Sequence, residues 1–357
     1  MNVKVSEKKL KKAWFGVDVS KETFDASVCL SESEVSDIHS MPKKTFERSE
    51  SGVEEFQAWC NERLTKNNIP EGTELGVVME ATGNYSLILA AWISGMFLNC
   101  IVAIADPKSV NAYGKSLKIR NKTDKTDAAI LAIYGAERNP TAYIPESKEY
   151  ATLRGLVRQR KAIVDMITSA KLQAQELSDI KAVINARTNI LKYLNKTLVS
   201  LEFAIKKHIK EEPKLKKQAE LLVSIPGVGF ITAALMLGEL GDVHRFSSAK
   251  KIAAFVGVSP RIHQSGKSVN GKTRMCKEGQ KRIRQSLYMS ALAAIKYDTN
   301  GLARFYHMLV LRKGKTKMAA IGAVMRKIIC IIRRLLIDEI SYNDAMVTPI
   351  NMVTKNC

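Results

Sequence analysis

The order of short apolar stretches and amphipathic stretches in the first 138 residues constrains the fold most. Trp14–Ser20 and Thr23–Leu30 both have a strand pattern, and the short gap between them predicts an antiparallel hairpin. The predicted elements are strands at 14–20, 23–30, 45–46, 75–80 and 100–105 and helices at 51–67, 85–93 and 124–138. A hairpin followed by alternating helices and strands predicts a mixed sheet covered by helices.

A stretch without charged residues runs from Ala81 to Ala105, which is long enough to span a bilayer. Gly83-Asn84 opens it, and Ser94-Gly95 and Asn99 interrupt it. We therefore interpret it as a buried helix followed by a buried strand, and we expect no membrane association.

The middle of the chain is a long helical segment. Between residues 150 and 212 there is no proline, and Gly155 is the only glycine. Apolar residues recur there at helical spacing: Leu153, Leu156, Val157, Ile163, Ile167, Leu172 and Leu177. The pattern is typical of a helical pair with a solvated surface or of a coiled coil used for oligomerisation. We predict three domains: an α/β domain at 1–148, a helical coiled-coil connector at 149–218 and a mainly α domain at 219–357.

The chain carries a formal net charge of +21, which favours a polyanionic partner, most often nucleic acid. The charge is uneven, because residues 1–80 carry 11 basic and 15 acidic side chains. Residues 250–290 carry ten Lys or Arg and a single acid, Glu278. Because there are too few acids to pair with these basic side chains, a surface of salt bridges does not explain the segment. We expect the basic side chains to contact phosphate groups.

The six cysteines have no CxxC pair or regular spacing, which predicts reduced and mostly buried thiols. The basic start, Met1 to Lys12, has no apolar stretch after it and is not a signal peptide. Together these features predict a cytoplasmic protein.

Four carboxylates stand where chemistry is expected. Asp18 lies within an apolar strand, and Glu80 ends another. Asp124 and Asp127 are three residues apart at the start of a helix, so both lie on one helix face. A carboxylate in a buried strand is costly unless it is paired, and Mg²⁺ is a natural oxygen-binding partner. Each acid alone also has an ordinary interpretation, such as a helix cap or a surface acid.

The sequences around these acids are Gly-Val-Asp-Val-Ser-Lys, Met-Glu-Ala-Thr-Gly-Asn-Tyr and Arg-Asn-Lys-Thr-Asp-Lys-Thr-Asp-Ala. They resemble the DEDD transposases of the IS110 insertion-sequence class and its Piv-type invertase relatives. Asp106-Pro107 also matches, where that family usually has Asn-Pro. The resemblance implies a RuvC-like, RNase H-type fold for the first domain, with Asp18, Glu80, Asp124 and Asp127 binding Mg²⁺ or Mn²⁺.

The last domain resembles the same family independently. Ile225-Pro226-Gly227-Val228-Gly229 is similar to a helix-hairpin-helix turn, in which backbone N–H groups of Gly227 and Gly229 would approach a phosphate. Taken alone, the motif is more often just a tight turn. The segment from Phe255 to Arg284 resembles the family's C-terminal transposase domain. There Ser265 aligns with a serine nucleophile, and Ser259 and Ser268 are its local competitors.

Two groups of residues are candidates for nucleic-acid binding, one beside the acids and one around Ser265. They are Lys115, Lys118, Arg120 and Lys122, then Arg261, Lys267, Lys272, Arg274, Lys277, Lys281, Arg282 and Arg284.

The leading hypothesis is an enzyme that excises and inserts an insertion sequence through a covalent DNA–serine intermediate. The resemblance further implies double-stranded donor and target DNA, a structured guide (bridge) RNA and a dimer or tetramer. Two alternatives stay open: a metal-dependent Holliday-junction resolvase that uses water, and a nucleic-acid-binding protein without catalysis.

Overall fold

The computed structural model describes residues 9–31, 38, 40–70, 73–97, 99–117, 123–174, 180–261, 264–265, 269–270, 274–297 and 301–347. Within these ranges, the side chains of residues 9–12, 31, 124–125, 264–265 and 269–270 are not described. The chain divides into two compact units, residues 1–145 and 146–357. The second unit therefore includes both the predicted connector and the predicted C-terminal domain.

The first unit is built on a five-stranded sheet in the order β3-β2-β1-β4-β5. Its strands are β1 (Lys9–Val19), β2 (Thr23–Ser31), β3 (Lys43–Glu47), β4 (Leu75–Glu80) and β5 (Cys100–Ala105). Its helices are α1 (Glu50–Lys66), α2 (Asn84–Met96), α3 (Pro107–Ser116) and α4 (Asp124–Arg138). β1 pairs antiparallel with β2 and parallel with β4, and β4 pairs parallel with β5. The sheet is mixed, as the sequence predicts.

Both faces of this sheet are buried, each in its own core. Phe15, Val17 and Met79 pack with α1 and α2 on one face. Trp14 and Val78 pack with α3 and α4 on the other face. Because successive strand residues point to opposite faces, this assignment fixes the face of every other residue in β1 and β4.

The second unit is mainly helical. Its helices are α5 (Lys148–Ala174), α6 (Lys181–Glu211), α7 (Pro213–Val223), α8 (Phe230–Leu240), α9 (Ala249–Val256), α10 (Lys281–Tyr297), α11 (Gly301–His307) and α12 (Lys317–Asp338). Four two-residue strands also form, β6 (Pro260–Arg261), β7 (Gln264–Ser265), β8 (Val269–Asn270) and β9 (Arg274–Met275). β6 pairs with β9, and β7 pairs with β8.

One core joins the long helices to the rest of this second unit. Leu153 and Val157 of α5 and Ile205 of α6 are buried together with residues of α7, α8, α10 and α12. Part of the apolar stripe that indicated a coiled coil is therefore used for packing within the chain. Leu172, which belongs to the same stripe, is exposed.

In the first unit, several predicted elements are confirmed, and one helix was missed. Cys100–Ala105 and Asp124–Arg138 have the predicted bounds, and the predicted helix at 85–93 lies within α2. Asp106-Pro107 was expected only to end a strand, whereas α3 begins there. Asp106 caps α3 and Pro107 opens its first turn, a combination that is a recognisable start signal for a helix.

Among the described residues, no helix is long and apolar enough to cross a membrane. The five described cysteines are free thiols, and Cys29 and Cys60 are buried. Burial raises the pKa of the Cys100 thiol to about 12, and it also raises the pKa of Cys60. At neutral pH these two groups are therefore protonated and unreactive.

Candidate functional site

Asp18 lies near the carboxyl end of β1, on the face that α4 covers. It alternates with Val17 and Val19, which both point into the opposite core. Its side chain is half-buried and is engaged in an interaction within the protein. Two residues earlier on the same face is Gly16, where an added Cβ would lie 2.1 Å from the carbonyl oxygen of Ala128 in α4. The absence of a side chain at Gly16 therefore lets the helix cross β1 in direct backbone contact.

Glu80 is the last residue of β4 and lies beside Asp18. Val17 is paired with Met79, so Asp18 and Glu80 occupy the next position on each of these parallel strands. Val78, two residues before Glu80, belongs to the core under α4. Glu80 consequently has the same face as Asp18, and it is half-buried.

The start of α4 lies at the same edge of the sheet. An added Cβ at Gly135, late in α4, would meet Trp14 and Val78, whereas Ala128 and Ala132 lie over Gly16. The helix therefore approaches the carboxyl end of β1 as it is followed back towards its N-terminus. Asp127 is half-buried in this first part of α4, and Asp124 is the first residue of the helix.

Thr123 fixes where α4 begins. Its hydroxyl accepts a hydrogen bond from the N–H of Thr126 at 3.2 Å, and the two threonine hydroxyls are 2.8 Å apart. Thr126 is buried, so this first turn is anchored. The N-cap is therefore Thr123, and the ordinary interpretation of Asp124 as a cap does not apply.

Carboxylates gathered at one edge and one face have the donor chemistry that a hard divalent cation takes. The described side chains nevertheless contain no group of three or more acids, histidines or cysteines placed closely enough to hold a metal ion. Asp124 is not among these side chains, because its side chain is not described. The two strands and the helix thus bring carboxylates to one edge of the sheet.

The basic stretch beside the acids is only partly described. Lys115 is exposed in the last turn of α3. Lys118, Arg120 and Lys122 lie outside the described residues.

In the second unit, the Pro226-Gly227-Val228-Gly229 turn connects α7 to α8. Gly227 has a φ of +79°, and an added Cβ would lie 2.3 Å from the carbonyl oxygen of Ser290 in α10. The glycine is therefore required for close packing within the protein. Gly229 is different, because it caps α8 and has open space where a Cβ would stand.

Ser265 lies in β7, where its backbone pairs with Val269. The side chain of Ser265 is not described, and Lys267 and Lys272 fall outside the described residues.

The described cations around Ser265 have unequal surroundings. Arg274, Lys277 and Lys281 are exposed. Arg261 is 3.6 Å from the carboxylate of Glu278, which is also exposed. The backbone of Lys277 is in the left-handed region, with a φ of +59°. These four side chains are accessible to a phosphate.

Two further arginines in this group also have structural partners. The Arg284 guanidinium donates to the carbonyl oxygen of Val256 at 2.9 Å, at the end of α9. Arg282 is 3.8 Å from the carboxylate of Glu239.

Glu239 is a buried carboxylate that the sequence analysis did not single out. It accepts hydrogen bonds from Nε and Nη2 of Arg158 at 2.8 and 2.7 Å, which joins α8 to α5. The sequence feature that could have identified Glu239 is its position as the only acid within the apolar run Ala233–Leu240.

The fold and these residues define a class: an α/β domain with carboxylates at one sheet edge, followed by a basic helical unit. Family models agree with this description. One described as a DEDD transposase matches residues 15–180, and another, described as Transposase IS116/IS110/IS902 family, matches residues 219–307.

Individual relatives agree as well. The chain is 32% identical over 322 residues to the pilin gene-inverting proteins of Moraxella bovis and Moraxella lacunata, covering 90% of this chain and 95% of each relative. It is 25% identical to the transposase for insertion sequence element IS1111A of Coxiella burnetii, covering 74% of this chain and 79% of the relative. The chain belongs to the IS116/IS110/IS902 family of transposases, and it is an enzyme of DNA transposition and recombination.

Proposed function

We propose that this transposase excises and inserts an insertion-sequence element, using four metal-binding carboxylates and a serine nucleophile. Asp18, Glu80, Asp124 and Asp127 bind Mg²⁺, for which Mn²⁺ can substitute, on a RuvC-like, RNase H-type fold. Ser265 supplies the nucleophile from the second unit.

One observation carries the proposal. Asp18 and Glu80 follow the paired residues Val17 and Met79, and they share the sheet face over which α4 begins. Acids from three separate elements therefore come to one edge, although they are far apart in the sequence.

Metal bound by these acids would place positive charge against the oxygens of a DNA phosphate and stabilise the charge that develops during strand cleavage. The protein's part is to hold the carboxylates. β1 and β4 fix the backbone of Asp18 and Glu80 through their parallel pairing, and the Thr123 cap fixes the start of α4.

The serine step conserves atoms and charge. The Ser265 oxygen forms a bond to phosphorus, the bond from phosphorus to one DNA oxygen breaks, and that oxygen leaves as a hydroxyl with a proton. The proton of the serine hydroxyl is lost to the surroundings. A hydroxyl of another DNA strand then forms a bond to the phosphorus, the bond to the serine oxygen breaks, and a proton returns to the serine hydroxyl. The two DNA strands are thereby joined in a new arrangement.

Double-stranded donor and target DNA and a structured guide RNA are the proposed partners. Exposed cations at Arg274, Lys277 and Lys281 support nucleic-acid binding in the second unit. The net charge of +21 is also suited to a complex with more than one nucleic acid.

Site-specific inversion is a second candidate function. Two relatives are named pilin gene-inverting proteins, and the match with this chain covers 95% of the length of each. The same site would serve both reactions, since inversion and transposition differ in which DNA ends are rejoined.

The decisive experiment traps the covalent intermediate. Purified protein is incubated with element-end DNA, guide RNA and Mg²⁺, denatured, and examined for DNA that migrates with the protein. We expect a covalent adduct with the wild-type chain and with Ser259→Ala, and none with Ser265→Ala. Cleavage that persists in Ser265→Ala without an adduct would instead favour a resolvase that uses water.

The acids need their own controls. We expect Asp18→Asn and Glu80→Gln to abolish cleavage while retaining nucleic-acid binding. Asp106→Asn is the matched control at the same sheet edge, because the Asp106 carboxylate caps α3 and asparagine caps equally well. If Asp18→Asn and Glu80→Gln left recombination unchanged, the protein would act without catalysis at this site.

A further inference from the structure

Arg48 binds the turn that follows Asp18. It comes directly after β3, and its Nε and Nη2 atoms donate to the carbonyl oxygen of Lys21 at 2.8 and 2.6 Å. Its backbone N–H donates to the carbonyl oxygen of Glu22 at 2.8 Å. Three hydrogen bonds from one residue thus hold the segment between β1 and β2.

The same guanidinium also contacts the segment that follows Glu80. It lies 4.7 Å from the centroid of the Tyr85 ring, in the first turn of α2. A guanidinium over an aromatic face is attracted by the electron-rich ring. Arg48 therefore links the segment after Asp18 to the segment after Glu80.

The start of α2 is itself fixed, so this link joins two ordered backbones. The buried Ser86 hydroxyl donates to the carbonyl oxygen of Gly83 and accepts from the N–H of Thr82. The N–H of Ala81 donates to the carbonyl oxygen of Ala105, which holds the first residue after Glu80 against β5. The position of Tyr85 relative to Glu80 is therefore determined by the backbone.

We propose that Arg48, acting with Tyr85, is a positioning residue that holds the segments directly after Asp18 and Glu80 in place for metal binding. This inference rests on the proposed function. Carboxylates repel one another, so a divalent site needs a framework that holds its ligands at a common place before the cation arrives. Arg48 provides this framework outside the sheet pairing, and neither Arg48 nor Tyr85 needs to touch the metal.

The test is a metal titration with a binding readout as well as an activity readout. Mn²⁺ binding to the full-length protein, without nucleic acid, is measured by electron paramagnetic resonance. The Mg²⁺ concentration for half-maximal DNA cleavage is measured in parallel. We expect Arg48→Gln to raise the Mn²⁺ dissociation constant and the half-maximal Mg²⁺ concentration about tenfold each. The melting temperature and the nucleic-acid affinity should stay near those of the wild type.

Conservative variants separate this role from a direct contact to DNA. Lysine keeps the charge but cannot donate from two adjacent nitrogens and cover the ring at once. We therefore expect Arg48→Lys to keep a raised metal requirement. Tyr85→Ala should behave similarly, whereas Tyr85→Phe, which keeps the ring, should restore the normal requirement. Arg63→Gln is the matched control, because Arg63 lies over Trp59 in the last turn of α1, and it should leave both titrations unchanged.

Two results would overturn the inference in distinguishable ways. If Arg48→Gln and Tyr85→Ala bind Mn²⁺ like the wild type while Asp18→Asn does not, the positioning role is wrong and the metal site stands. A loss of DNA affinity in Arg48→Gln that Arg48→Lys repairs would then identify a phosphate contact. If Asp18→Asn also binds Mn²⁺ like the wild type, the proposed metal site is wrong and the role of Arg48 is rejected with it.

Discussion

Single glycines decide how closely elements approach in this protein. At Gly16 a methyl group would lie 2.1 Å from one backbone atom of α4 and 2.2 Å from another. Neither atom belongs to a flexible side chain, so the helix would have to move. The close contact between β1 and α4 is also what brings Asp127 towards the edge that carries Asp18.

We predict that Gly16→Ala destabilises the protein and impairs DNA cleavage together. Overpacking of a core costs about 1–3 kcal/mol, and backbone contacts as short as these belong at the upper end. The measurements are the free energy of unfolding in urea and the cleavage rate.

Gly95→Ala is the control for this substitution. Gly95 lies in α2, and nothing is within 4 Å of the position of an added Cβ. Alanine should therefore be neutral or stabilise the helix by up to about 1 kcal/mol. If the Gly16→Ala protein had unchanged stability, the backbone of α4 would not be in close contact with β1 at this position.

At the scale of elements, α6 has two different sides. Ile205 and Ile209 are buried in the core of the second unit. Val199 and Phe203 are each 68% exposed and stand one helical turn apart. Large apolar residues at such exposure are surface that a second copy of the chain can bury, so the predicted oligomer can be tested at this side of α6.

We therefore predict that replacing both Val199 and Phe203 with lysine lowers the oligomeric state without unfolding the helix. The substituted side chains are exposed, so the monomer should lose little stability. Light scattering gives the mass, and circular dichroism gives the helix content. Ser200→Lys adds a charge at an exposed position between these two residues and should leave the mass unchanged. An unchanged mass for the double variant would mean that this surface is not the contact.

At the scale of the whole molecule, each of the two units has its own buried core. The acidic excess of residues 1–80 falls in the first unit, and the most basic segments fall in the second. The net charge of +21 is therefore carried almost entirely by the second unit, and the first unit is close to neutral. The first unit carries the proposed metal site, and the second unit carries the exposed cations around Ser265.

Because the two units have separate cores, we expect a substitution of a buried charged residue to destabilise only the unit that contains it. Removing one partner of a buried ion pair costs several kcal/mol. Because Arg158 is 43% exposed, we expect Glu239→Ala to cost roughly 3 kcal/mol, the low end of that range. Hydrogen exchange should increase in peptides of residues 146–357 and stay unchanged in peptides of residues 1–145.

Glu62→Ala is the comparison, because Glu62 and its partner Lys66 are both exposed on α1. An exposed pair contributes little, so exchange should not change in either unit. Equal loosening of both units in Glu239→Ala would show that they unfold as one.

The strands and helices of the first unit were largely predictable from sequence, because each has a local pattern. The strand at Cys100–Ala105 is an apolar run between polar residues, and Asp124–Arg138 is bounded by a capping threonine and an Asn-Pro pair. The helix α3 was missed because a proline after a strand was taken only as a terminator. A capping aspartate before that proline favours a helix start instead.

The candidate acids could also be selected from sequence, since a carboxylate within an apolar run is conspicuous. Their common location could not be derived from sequence spacing. It depends on the pairing of Val17 with Met79 and on the direction in which α4 crosses Gly16. Both are contacts between residues far apart in the chain.

By itself, the sequence determined the alternation of elements, the uneven charge and the family, and it singled out the four candidate acids. The tertiary structure decided which face each acid occupies, that Gly227 packs against α10, and that Arg48 joins the segments after Asp18 and Glu80. The physical reason is one of range. Periodicity, capping and turn chemistry act between neighbours in sequence, whereas strand register and helix packing are set by the burial of surfaces that meet only in the folded chain.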